Sequence, residues 1–120
     1  MAKHNTVEIW GIPTCGTVKK TIAWMREHGV HFEFKNLRET PPPRVLLQSA
    51  LASVAHPKNL LNTSGASYRE GGWSAKAASL TGSQVIEALL ADPMLIKRPI
   101  VRSSKLVTVG FQEDEWTALL

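Results

Sequence analysis

The 120-residue chain carries a single cysteine, Cys15. A disulfide within the chain is therefore impossible, and an extracellular framework built on an even set of cysteines is excluded. A cysteine-rich zinc finger is excluded as well, because one Cys and four scattered His do not supply ligand spacing. Long apolar runs are missing too: no stretch approaches the roughly 18 residues of a membrane span. The N-terminal residues Met1-Ala2-Lys3-His4-Asn5-Thr6 lead into a polar-flanked strand with no apolar signal-peptide core behind them. Aromatics are 7% of the chain and no run of like charge reaches five residues. The clustered basic face of a nucleic-acid surface is thus absent, and nucleic acid is not an expected partner. These absences point to a protein of the reducing cytoplasm without a membrane partner.

What remains is enough for one domain, at roughly 100–200 residues each. A chain of this size buries about two-thirds of the surface that its unfolded form exposes, so a hydrophobic core needs no covalent staple. Lys and Arg number 14 against 10 Asp and Glu, a formal charge of +4. That balance reads either as mild steering toward anionic small molecules or as an ordinary solvated surface.

Hydrophobic period organises the sequence. Thr6-Val7-Glu8-Ile9-Trp10 alternates and predicts a strand, broken by Gly11-Ile12-Pro13-Thr14. From Gly16 the period becomes helical through Val18, Ile22 and Met25, with a stop at Gly29. Residues 30–37 alternate again, and a right-handed crossover would make the two strands parallel neighbours. Thr40-Pro41-Pro42-Pro43 is a rigid entry to a helical face of Val45, Leu46, Ala50, Leu51 and Val54. Residues 62–72 read as a linker or a mobile lid. Thr81 with Gln84 fits a capping box for a helix through Val85, Ile86, Leu89 and Leu90. Residues 99–102 and 105–109 predict a hairpin, and acidic residues 113–115 lie in the first turn of a last helix carrying Trp116, Leu119 and Leu120. The order is β-α-β, a helical insert, then β-β-α.

Cys15 sits at the first strand-to-helix junction. A cysteine reacts as its thiolate, and unpaired N–H groups with the positive end of the helix dipole stabilise that anion. Gly16 lets backbone amides approach an anion closely, and the Thr17 hydroxyl can donate to sulfur or to a bound oxyanion. Lys19 lies four residues on, one turn away on the same face. The competing reading is a buried, inert core cysteine. The Pro13-Thr14-Cys15-Gly16-Thr17 turn argues against deep burial. Position 18 is Val, so the Cys-x-x-Cys pair of a dithiol mechanism is absent. A lone nucleophile needs an outside thiol to resolve its adduct, and glutathione is the abundant one in a cytoplasm.

Three segments in order, Ile12-Pro13-Thr14-Cys15-Gly16-Thr17-Val18-Lys19-Lys20, Leu60-Leu61-Asn62-Thr63, and Leu95-Ile96-Lys97-Arg98-Pro99-Ile100 followed by Val109-Gly110-Phe111, resemble the bacterial arsenate reductase (ArsC/Spx) family. The match is nearest to its YffB-like small thiol reductases, regarded as glutathione-dependent, which share the double lysine after the cysteine and the late Gly-Phe. The resemblance implies an α/β, thioredoxin-like (glutaredoxin-like) sheet of about four strands with an ArsC-type helical insertion. It implies a single domain with its core at about 5–37 and 95–120 and the insertion at about 40–94. By the same comparison Cys15 matches the catalytic cysteine, Arg98 an arginine that holds an oxyanion, and Pro99 a cis proline that places backbone beside the cysteine. Gly16, Thr17 and Lys19 complete the expected anion-binding set. No metal or bound cofactor is implied; glutathione is the expected co-substrate, a small oxyanion or disulfide the substrate, and glutaredoxin a further candidate partner.

The departures bear on the substrate. Arsenate-reducing members place a histidine where this chain has Gly11, Ser-Arg where it has Val18-Lys19, and two further arginines where it has Asn62 and Gly110. Losing guanidinium groups removes bidentate donors that lysine does not replace. Spx-type regulators, which contact RNA polymerase, usually show a Cys-x-x-Cys pair that Val18 denies here. Arg69 and Arg102 read as solvated charges, Arg69 with the option of closing over a substrate, and the histidines receive no role.

Overall fold

The computed structural model describes residues 6–120. Residues 1–5, read above as a polar approach to the first strand, lie outside the described residues. The chain divides into two compact units, one formed by the described residues up to Thr40 with Arg98–Leu120, the other by Pro41–Lys97. Among the described residues no helix is long and apolar enough to cross a membrane.

The first unit holds a four-stranded mixed sheet in the order β2-β1-β3-β4. β1 (Val7–Gly11) pairs in parallel with β2 (Phe32–Asn36), and antiparallel with β3 (Ile100–Arg102), which pairs antiparallel with β4 (Val107–Val109). Alternation sorts the two faces. Val7, Ile9 and Val101 join Trp24, Met25 and Trp116 in one buried cluster. The opposite face carries Glu8, whose carboxylate accepts Trp10 Nε1–H at 3.0 Å and Arg102 Nε–H at 2.9 Å. Arg102, expected to be solvated, is thus held by an ion pair across adjacent strands.

Helix α1 (Gly16–Glu27) buries Val18, Thr21, Trp24 and Met25, the spacing that puts one stripe against the sheet. Thr21 is fully buried, and its hydroxyl donates to the Thr17 carbonyl at 2.8 Å. The short α5 (Glu113–Trp116) delivers Trp116, whose indole N–H donates to Thr108 Oγ1 at 2.8 Å while its ring packs against Trp24 and Phe111. Truncating such a buried aromatic to alanine typically costs about 3–5 kcal/mol, so this one side chain of α5 carries a sizeable share of the core.

In the second unit, α2 (Arg44–Ser53) begins directly after Pro43, and α4 (Gly82–Ala91) opens with the reciprocal capping box of Thr81 and Gln84. Leu46, Leu47, Ala50, Val85 and Leu89 are its buried face. Residues 60–62 and 95–97 form a small antiparallel bridge, Leu61 opposite Ile96, with Asn62 N–H donating to Leu95 O at 2.7 Å. The stretch 62–72 corrects the sequence expectation of a loop: it contains α3 (Ala66–Glu70). Flanking glycines and small residues masked a five-residue segment of adequate helix formers. Arg69 there donates to Ser64 O at 3.0 Å, within its own loop.

Candidate active site

Strand register gathers the site at one end of the sheet. Trp10 lies opposite Ile100, so the chain leaving β1 through Gly11 and the chain entering β3 through Arg98 and Pro99 occupy the same rim. Ile100 lies opposite Val109, which adds Gly110. The Gly110 N–H donates to Pro99 O at 2.8 Å, and Leu37 N–H to Gly11 O at 2.9 Å. The Arg98–Pro99 peptide bond is cis, as the resemblance implies.

Cys15 is the N-cap of α1, with extended backbone (φ −75°, ψ 125°). Its N–H donates to Ile12 O at 3.2 Å, closing the turn, and its carbonyl accepts Lys19 N–H at 3.0 Å, opening the helix. The thiol is half-buried and makes no capping hydrogen bond, and no acidic residue occupies the first turn. The amides of Gly16 and Thr17 belong to the helix start, where N–H groups have no acceptor inside the helix. A helix start of this kind offers such donors and the positive end of the dipole to an anion placed against it. Gly16 is exposed, and an ideal Cβ added there meets nothing within 4 Å, so packing does not require a glycine at this position. Thr17 is half-buried, Lys19 exposed, and Arg98 half-buried with its Nε shielded from solvent.

Two glycines on this rim are there for steric reasons. A Cβ at Gly11 would lie 2.5 Å from Val18 Cγ2, and Val18 is itself fully buried. Gly110 has φ +82°, a conformation that side-chain-bearing residues rarely adopt. In the sequence Phe111 stands out only as part of a motif, and Gly110 only through that motif and as the place of a family arginine. Their contacts, Gly110 to Pro99 and Phe111 to Lys20 and Trp116, depend on register and packing that periodicity does not report.

A β-α-β unit followed by an antiparallel hairpin, with a cysteine capping the first helix and a cis proline entering the hairpin, defines a thioredoxin-like protein with its thiol at the sheet rim. The ArsC family model matches residues 10–119, and the chain belongs to that family. It is 37% identical over 105 residues to the uncharacterised protein YusI of Bacillus subtilis (strain 168), spanning 87% of this chain and 89% of YusI. It is 28% identical over 109 residues to the global transcriptional regulator Spx of Streptococcus pyogenes serotype M6, spanning 90% of this chain and 80% of Spx. The solved structure of the protein YFFB (PA3664) superimposes with a TM-score of 0.81 at 32% identity, covering 95% of this chain and 98% of that one.

Proposed function

We propose that this ArsC-family protein is a thiol oxidoreductase that works through Cys15 alone and takes glutathione as its resolving thiol. In the first step the Cys15 thiolate attacks one sulfur of a disulfide. A new S–S bond forms, the old one breaks, and the leaving thiolate takes the electron pair and then a proton from water. Glutathione thiolate next attacks the mixed disulfide, and Cys15 leaves as thiolate. With a glutathione mixed disulfide as substrate and attack on its glutathionyl sulfur, the freed thiol is the reduced product and oxidised glutathione the second product; one disulfide is exchanged for another, and reduction of oxidised glutathione by NADPH through glutathione reductase supplies the two electrons. The Gly16 and Thr17 amides, Lys19 and Arg98 stabilise the negative charge, and Pro99 lines the approach.

The observation that favours a disulfide over an oxyanion is the closed rim. Where the resemblance places a histidine and an arginine around arsenate, Gly11 is packed against Val18 and Gly110 holds a positive φ with its N–H already donated. A tetrahedral dianion would find fewer bidentate donors here than arsenate reduction requires.

The test couples glutathione and glutathione reductase to NADPH oxidation. Turnover with a glutathione mixed disulfide, abolished by Cys15→Ser, is expected, with arsenate giving only the background rate. An arsenate-dependent rate that Cys15→Ser removes would shift the assignment to arsenate reduction. The likeness to Spx supports a second reading, a redox-sensing binding protein. It predicts binding to RNA polymerase retained in Cys15→Ser without any turnover.

A further inference from the structure

We propose that Phe111 is a positioning residue for the Cys15 site, acting through Lys20; this inference rests on reading Cys15 as the reacting thiol. Lys20 and Lys19 are neighbours in sequence with different directions. At about 100° per residue, Lys19 lies about 40° around α1 from Cys15 and Lys20 about 140°. Lys20 therefore cannot serve the sulfur directly. Its ammonium lies 4.8 Å from the centre of the Phe111 ring, well within cation–π range.

Phe111 is itself held. Its ring meets Trp116 edge-on at 5.1 Å between centroids, and Trp116 is fully buried with its indole N–H on Thr108. The preceding residue, Gly110, holds the Pro99 carbonyl. Two consecutive residues thus grip two parts of the site at once: the backbone of Gly110 holds the turn that carries Arg98, and the ring of Phe111 holds the second turn of the helix that Cys15 caps. Attack on a disulfide needs the incoming sulfur in line with the S–S bond while the rest of the substrate rests on the turn. Small displacements between helix and turn therefore cost rate. Alkylation by a small neutral reagent needs no such alignment.

The test measures the second-order rate of Cys15 with the disulfide of N-acetylcysteinamide, which is uncharged, so loss of the Lys20 charge does not enter. Cys15 alkylation by iodoacetamide is measured alongside. Phe111→Leu and Lys20→Met should each slow exchange about two- to five-fold, the size of an exposed cation–π contact expressed as a rate. The double variant should be no slower than either single, Phe111→Tyr should exchange at the parent rate, and alkylation should be unchanged throughout. Parent-like exchange in both singles, additive losses in the double, or an equal fall in alkylation would each overturn the role. Lys20→Met alters an exposed side chain, so it reports even if a Phe111 variant folds poorly. A parent Cys15 no faster than free cysteine would count against the proposed function instead, and the ratios among variants would still decide the role of Phe111.

Discussion

Position 11 shows how one residue joins packing to chemistry. The end of β1 and the first turn of α1 approach so closely that a single methyl group at Gly11 would overlap Val18. Gly11→Ala should therefore destabilise the fold by about 1–3 kcal/mol, the usual cost of overpacking a filled core. Urea unfolding of Gly11→Ala, Val18→Ala and the double variant checks it: removing the Val18 methyls should relieve the clash, so the double loses less than the sum of the singles. A Gly11→Ala variant as stable as the parent would mean that the two elements yield without cost. The placement of Cys15 was legible in the sequence because the change of period from two to 3.6 falls on it. The reason for Gly11 was not, since Val18 is apolar in any helix of this kind and only the interaxial distance makes it exclude a side chain.

Among the elements, the long and strongly periodic ones followed their patterns. α1 and α4 lie where spacing and capping place them, and β1 extends one residue beyond its expected end because Gly11 still pairs with Asn36. α3 was hidden because its five residues are too few to show a helical period. In the second unit, Arg44 of α2 and Glu87 of α4 form an ion pair at 2.6 Å. The hydrogen bond, then the charge, of Arg44 holds the Glu87 carboxyl below its ordinary value, and Glu87 correspondingly raises Arg44. The sign for Glu87 follows: its contribution is present above the ordinary carboxylate range and is lost as pH falls through its lowered folded value. Both side chains are exposed, so the effect is small and screened by salt. Glu87→Gln should melt slightly below the parent at pH 7 in low salt, with the gap closing toward pH 3 and in 0.5 M salt. A gap independent of pH would remove the ion pair as its cause.

Across the whole molecule, the +4 charge acts on encounter rather than on fold. Exchange of Cys15 with oxidised glutathione, which is anionic, should slow about two- to three-fold between 10 mM and 0.5 M salt, while exchange with an uncharged disulfide stays level. Equal salt sensitivity for both would show that the charge is only a solvated surface. The sequence by itself determined that there is one thiol and no internal partner for it, that this thiol falls between a strand and a helix, and in what order the elements follow. Those are properties of composition and local period, which each segment carries alone. Only the tertiary structure decided what holds the rim around Cys15 together. Gly110 meets Pro99 and Phe111 meets Lys20 through strand register and side-chain packing, and both are set by the joint burial of the sheet face, not by any one segment.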